Sequence, residues 1–271
     1  MYELKDREYN YISSKVYDYA RINLTERKRP LIIARLAKRI RFLELKGFPE
    51  YVDYLKNSDI SGSEFQIMVD TLSTNYSHFF REPHHLDFLT THILPEAENK
   101  ELRIWSAASS SGQEIYSILI TIKEYQRKTK KRIRYKLFAS DISRKVLISA
   151  ATGIYSKEDA KKIEDRVFKE YFLKGTGNNA DKIKVKNRLI QEVKFFRLNL
   201  SDKKYNLPLM DVIFLRNAII YFDHQTKTEL IDRLHSYLNP GGYLIIGHSE
   251  SLSSISDKFT LVGKTIYKRK D

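Results

Sequence analysis

From about residue 100 onward the chain alternates short apolar runs of β type with helical stretches, and this alternation restricts its fold more than any other feature. Residues 103–108 (RIWSAA) read as a strand and 115–125 as a helix, then 135–140 as a strand and 144–151 as a helix. Further strands are expected at 193–198, 211–215 and 242–247, with a helix after Gln225. Residues 259–262 and 265–268 read as a closing hairpin around Gly263-Lys264. Strands that alternate with helices build a mostly parallel sheet covered by helices on both faces, so the expected class is α/β. Between Gly153 and Gln191 the alternation breaks. Residues 175–179 (GTGNN) form a turn cluster and 182–186 alternate as a strand does, so 153–191 reads as a small inserted β unit.

Residues 1–72 show no strand alternation, have proline only at Pro30 and Pro49, and read as helical. Residues 27–46 hold eight basic side chains (Arg27, Lys28, Arg29, Arg35, Lys38, Arg39, Arg41 and Lys46) against one acid, Glu44. Leu36, Ile40 and Leu43 fall on one helical face, and Arg35, Lys38 and Arg39 share another. Pro30 suits the first turn of this helix and Gly47 its end. The expectation is an amphipathic helix whose basic outer face docks on something acidic. The whole chain carries a net charge of +14, which favours anionic partners. It has no cysteine, which excludes disulfides and thiolate metal sites. The longest apolar run, near 210–222, is interrupted by Asp211, Arg216 and Asn217 and falls short of the ~18 residues of a membrane span. The first six residues lack the apolar centre of a signal peptide, so a cytoplasmic location is expected.

Ligands of open α/β sheets bind at the carboxyl ends of the strands, near the point where strand order reverses. The first expected strand runs into Ser109-Ser110-Ser111-Gly112-Gln113-Glu114, a loop of small residues that opens a helix. Asp141 ends the second strand, where a carboxylate can accept two hydrogen bonds from ribose hydroxyls. Asn199 follows the third strand, where an amide suits a base edge, and Arg216 and Asn217 follow the fourth. Together these ends suit an adenosine-containing ligand.

Two other readings fit less well. A dinucleotide lacks its cradle, because no G-x-G-x-x-G is present. Residues 108–112 (ASSSG), with Asp211 and His248 after them, follow the chain order of a serine hydrolase. That elbow, however, sits on the first strand and has alanine where its first glycine belongs. His78, His84, His85 and His92 fall within 15 residues, but without cysteine or H-E-x-x-H they read as a helix face and its cap rather than a metal site.

Residues 73–82 (STNYSHFFRE) resemble the T-N-x-T-x-F-F-R-E segment of the bacterial chemotaxis receptor methyltransferases, the CheR family. Residues 105–117, 138–142 (FASDI), 198–200 (LNL), 215–223 (LRNAIIYFD) and 247–250 (GHSE) resemble the same family in order and spacing. The resemblance implies a Rossmann-like S-adenosylmethionine-dependent methyltransferase sheet over 73–271. It also implies an inserted antiparallel β-subdomain and, over 1–72, a small all-α receptor-docking domain. It implies methyl esterification of glutamate side chains on the cytoplasmic helices of chemoreceptors, with S-adenosylhomocysteine as product, and no action on nucleic acid or insertion in membrane. By motif, Asn75, Ser77, Arg81, Glu114, Asp141, Asn199, Leu200, Arg216 and Asn217 line the cofactor pocket, with Arg81 and Tyr221 nearest the methyl group. Ser77 stands for the usual threonine, Gln113 for a common glutamate and Ile115 for a common proline. The resemblance also implies that the β unit can bind a peptide from a receptor's C-terminus. Strand-like 182–186 is its expected open edge, and Gly175 and Gly177 are expected to let the peptide backbone approach. Action on nucleic acid, or a scaffold that binds cofactor without turnover, remain the alternatives.

Overall fold

The computed structural model describes residues 2–73, 76–98 and 100–270. Four helices come first: α1 (Asp6–Ala20), α2 (Arg29–Phe42), α3 (Phe48–Asn57) and α4 (Ser63–Leu72). Ile32, Leu36 and Ile40, one turn apart on α2, are fully buried against Ile12, Val16, Tyr51 and Met68. Pro30 lies in the first turn of α2 as expected, but the helix does not run on to Gly47. It ends at Phe42, Glu44 takes a left-handed φ of 57°, and Gly47 becomes the cap of α3.

The basic face of α2 also differs from the expectation. Lys38 and Arg41 are exposed, but Arg35 and Arg39 turn inward. The Arg35 guanidinium donates to the Leu72 and Ser73 carbonyls at 2.8 and 3.0 Å, closing the open end of α4. Arg39 grips Glu64, whose side chain is only 4% exposed, and the Tyr51 hydroxyl donates to the same carboxylate at 2.9 Å. These two arginines fasten α2 to α4. A carboxylate buried there requires a partner, and helical periodicity gives the face of a residue without giving what stands opposite it.

Beyond short helices α5 (Pro83–Phe88) and α6 (Leu94–Glu96) lies the sheet. Its strands are β1 (Glu101–Ser106), β2 (Arg134–Asp141), β6 (Val193–Arg197), β7 (Met210–Leu215), β8 (Leu238–Ile246), β9 (Phe259–Gly263) and β10 (Ile266–Arg269). Their order is β6-β2-β1-β7-β8-β10-β9, parallel except for β10, which runs antiparallel to both neighbours. Successive residues feed opposite faces: Ile104, Val212 and Ile245 enter one core, and Trp105, Ile213 and Leu244 the other. Burial on both faces is why these strands read as continuous apolar runs. Helices α7 (Gln113–Thr129), α8 (Arg144–Thr152) and α11 (His224–Ser236) cover the sheet. No described helix is long and apolar enough to cross a membrane.

The insertion carries β3 (Ile154–Ser156), α9 (Asp165–Tyr171), β4 (Phe172–Lys174), β5 (Lys182–Val185) and α10 (Asn187–Ile190). Its strands are antiparallel in the order β3-β5-β4. The stretch expected as an open edge is therefore the central strand, paired on both sides, and the edges are the short β3 and β4. Gly175 serves the turn itself, because a Cβ there would lie 1.9 Å from the Asn179 carbonyl oxygen.

Arg39→Ala strands Glu64 in the helical core and should destabilise the protein by about 3 kcal/mol. Lys38→Ala, on the exposed side, should stay within about 0.5 kcal/mol of wild type. Urea midpoints of the two variants check this directly.

Candidate active site

Strand order reverses between β1 and β7, since the connection from β1 leads to β2 on one side while β7 lies on the other. At the carboxyl ends of these strands opens a cleft of about 1180 Å³, its solvent mouth included. Ser77, Arg81, Glu114, Asp141, Asn199, Leu200, Arg216, Asn217 and Tyr221 all line it. Asn75, the remaining candidate, lies outside the described residues.

The loop after β1 keeps bonding to its neighbours: Ala107 N–H donates to the Phe214 carbonyl and Ser109 N–H to that of Ser140, both at 2.8 Å. Ser110 then takes a φ of 50° and points its N–H at Asp141 Oδ2, 2.9 Å away. The Ser143 N–H holds Oδ1 at 3.0 Å. Asp141 is buried, and that burial pushes its carboxyl up to about 6 from an ordinary 3.8, although these two N–H groups pull the other way. Both oxygens are engaged, and burial still outweighs the N–H groups that hold them.

Arg216, at the end of β7, is buried with its side chain 4% exposed. Nη1 donates to Glu114 Oε2 at 2.9 Å, and Nη2 donates to the Arg81 carbonyl at 2.5 Å and lies 3.4 Å from Glu82 Oε2. Its Nε is buried without a hydrogen-bond partner among the described residues. Glu114, in the first turn of α7, is held from its other oxygen by the Ser106 hydroxyl at 2.7 Å. Burial opposes the charge of Glu82. Arg216, the His248 N–H and the Asn217 side chain outweigh it and hold the carboxyl below its usual range. His85 is buried, and that burial, with Arg216 and His84 nearby, drives its imidazole down to about 3, so it is neutral. Its Nε2 lies 2.9 Å from the Thr265 hydroxyl. No group of three or more His, Cys, Asp or Glu among the described residues is placed to hold a metal ion.

The far wall comes from the N-terminal helices. Ile22, Leu24, Lys28 and Leu31 line the cleft opposite the strand ends. The Asn23 N–H donates to the Tyr221 carbonyl at 2.8 Å, and Lys28 Nζ stands 5.0 Å above the Tyr221 ring. The Asn199 side-chain amide donates to the Tyr19 carbonyl at 2.6 Å, and its oxygen takes the Ser201 N–H at 3.0 Å. The polar atoms of Asn199 are thus engaged by the N-terminal helices and its own loop.

Residues 75–268 match the family described as "CheR methyltransferase, SAM binding domain", and residues 7–73 match "CheR methyltransferase, all-alpha domain". The chain belongs to the CheR methyltransferase family. It is 39% identical to the chemotaxis protein methyltransferase of Escherichia coli over 97% of this chain and 91% of that one. To the Borreliella burgdorferi chemotaxis protein methyltransferase it is 40% identical, over 88% of this chain and 85% of that one. To chemotaxis protein methyltransferase 2 of Pseudomonas aeruginosa it is 37% identical, over 96% and 92%. It is a methyltransferase, and its sheet is the family's S-adenosylmethionine-binding domain.

Within this CheR frame, reading the sequence by strand ends passes over five contributors. Glu82 and Glu250 lie inside the matching segments, yet a carboxylate that holds other groups in place follows no periodicity. Ser106 reads as plain strand. Lys28 and Asn23 belong to a region expected to face a partner rather than the cleft.

The raised Asp141 carboxyl sets a pH dependence. The folded state takes up a proton near pH 6 that the unfolded chain does not hold until about 3.8, so this group adds stability at low pH and loses it as pH rises through 6. Asp141→Asn removes that dependence. Its stability relative to wild type should be greatest at pH 7 and fall by about 1.4 kcal/mol per unit below pH 6. Denaturation midpoints between pH 7 and 4.5 measure it, and a difference flat across that range contradicts the burial argument.

Proposed function

We propose that this chain methyl-esterifies glutamate side chains of chemotaxis receptors in the cytoplasm, with S-adenosylmethionine as methyl donor and S-adenosylhomocysteine as product. The observation that carries the reading is the gathering of every described candidate residue in one cleft at the switch point. The residues there fit the donor. Asp141 is a buried carboxylate at the cleft, and donation from a ribose diol would offset part of its burial. Glu114 and Arg216 offer opposite charges for an amino-acid end, and the buried Nε of Arg216 has no partner among the described residues. Ile142, Leu200 and Phe222 supply apolar wall for a base. Ser77, Asn199 and Asn217 complete the lining, and Asn75 is assigned with them on the motif alone.

When bound, the donor supplies an electrophilic methyl group on a sulfonium sulfur. A glutamate carboxylate is ionised at neutral pH, with an ordinary pKa of about 4.3, so its oxygen attacks without a general base. The task left to the chain is to aim that oxygen and exclude water. Arg81, its side chain 27% exposed at the cleft, can hold the carboxylate by charge-assisted hydrogen bonds. Its benefit is positional, since a tighter grip on the ground state would slow transfer. The Tyr221 hydroxyl positions the reactants and its ring shields them.

On the receptor side, the exposed Lys38 and Arg41 of α2, with Arg27 and Lys46 beside them, form the basic surface that meets receptor helices rich in glutamate. A receptor-tail peptide would add to the free side of β3 or β4, the edges of the inserted sheet.

Incubation with methyl-labelled donor and a receptor fragment should place label on the receptor that mild base releases, as an ester requires. Base-stable label, or label on RNA instead, overturns the reading. Arg81→Ala and Tyr221→Phe should each cut turnover by roughly ten- to a hundredfold while leaving the melting temperature nearly unchanged. Wild-type rates at saturating donor and receptor would remove that residue from the mechanism.

Joint charge reversal, Lys38→Glu with Arg41→Glu, should raise KM for receptor severalfold at low salt and leave donor affinity unaltered. Methylation indifferent to that change would show this face to be solvated surface only.

A further inference from the structure

Residues 216–222 carry both Arg216 and Tyr221, so the placement of this loop decides the cleft. Its backbone turns left-handed at Asn217, with φ of 57°. Asparagine tolerates that region better than most residues, but something must hold it there. Two carboxylates flank it. The Asn217 side chain favours the charge of Glu82. The Asn217 backbone N–H donates to Glu250 Oε2 at 2.9 Å, and the Gly247 N–H donates to the same oxygen at 2.6 Å.

Glu250 is 6% exposed and stands behind the cleft wall rather than on it. Its own N–H closes a turn onto the Gly247 carbonyl at 2.9 Å. Gly247 has no room for a side chain, since a Cβ there would lie 2.5 Å from Asn217 Nδ2 and 2.8 Å from both Asn217 N and Glu250 Oε2. Loop, turn and carboxylate are therefore interlocked at contact distance. Burial raises the pKa of the Glu250 carboxyl, while the N–H groups of Gly247, Asn217, Ile220 and Ile219 favour its charge. The last two begin the short 3₁₀ turn Ile219–Tyr221 that brings Tyr221 to the cleft. That turn is fixed at its other end by the Asn23 N–H on the Tyr221 carbonyl. An ionisable group in such a place is costly to bury, and an apolar residue would fill the space without that cost.

We propose that Glu250 is a positioning residue for methyl transfer, whose carboxylate fixes the Asn217 backbone and the turn after it and so sets where Tyr221 stands. This rests on the reading that Tyr221 flanks the reacting centre. Glu250→Gln keeps the shape but replaces the charged oxygen that the Asn217 and Gly247 N–H groups share with a neutral amide. It should lower kcat on a receptor fragment by ten- to a hundredfold, as small misplacements do. Donor Kd by calorimetry and receptor KM should stay within about threefold.

A double-mutant cycle with Tyr221→Ala separates positioning from general damage. Glu250→Gln should cost little further in the Tyr221→Ala background. Losses that multiply, a wild-type kcat, or a change confined to Kd or melting temperature would each overturn the proposal. Should the Gln variant fail to fold, Gly247→Ala, which displaces the same backbone with the carboxylate intact, goes through the same cycle. A Tyr221→Ala enzyme with wild-type turnover would end the reading of Tyr221 and this route with it. An impaired Tyr221→Ala enzyme with multiplying losses ends only the role of Glu250.

Discussion

The buried guanidinium of Arg216 is the interaction on which the site depends. A charge removed from water is tolerated only where partners surround it, and here Glu114, Glu82 and the Arg81 carbonyl do so. The cluster joins three pieces of chain. Glu114 opens α7, Glu82 follows the segment that leaves the N-terminal helices, and Arg216 itself ends β7. One ion cluster therefore fixes three boundaries at the switch point. The left-handed backbones gather around it as well: Phe80, Glu82, Ser110 and Asn217 all have φ between 50° and 57°. Such conformations cost of order 1 kcal/mol or more each and persist where the surroundings leave no alternative.

The N-terminal helices are part of the same structure and not an appendage to it. Tyr19 receives the Asn199 side chain and the Ser201 hydroxyl on its carbonyl, and Tyr17 bonds Asp223. Arg197 reaches across to the Tyr19 hydroxyl at 2.5 Å and to Gln66. These contacts touch the loops after β6 and β7, which carry cleft residues. Whatever meets the outer face of α2 is thus one helix away from the walls of the cleft, and Ile32, Leu36 and Ile40 provide a close-packed core between them.

The strands were readable because each is buried on both faces and bounded by polar turns, which leaves an apolar signature at the right spacing. Asp141 and Arg216 were readable because strand ends are where an open α/β sheet binds its ligand. Harder to read was anything decided by a distant partner. Arg35, Lys38 and Arg39 look alike on a helical wheel, yet Glu64 and the end of α4 draw the first and third inward and leave the second in solvent. Strand order within the insertion depends on long-range pairing, so 182–186 gave its conformation and not its central place. The bulge by which β8 starts early, at Leu238, lies in Asn239-Pro240-Gly241-Gly242, ahead of the strand expected at 242–247.

Three carboxylates around the cleft, Glu82 half-buried and the other two buried, have different electrostatic fates, and the difference separates their tasks. Glu82 sits against Arg216 and is held ionised, so its environment is complete within the chain. Glu250 and Asp141 rely on backbone N–H groups that do not offset burial, and both are pushed toward the neutral form. For Glu250, behind the wall, nothing further can approach, so its bonds to Asn217 and Gly247 are its whole function. Asp141 faces the cleft, where a ligand bearing hydroxyl donors can complete it. In the proposed reading, a ligand diol offsets part of that burial, so the feature that makes Asp141 costly to the fold is what makes it a binding group.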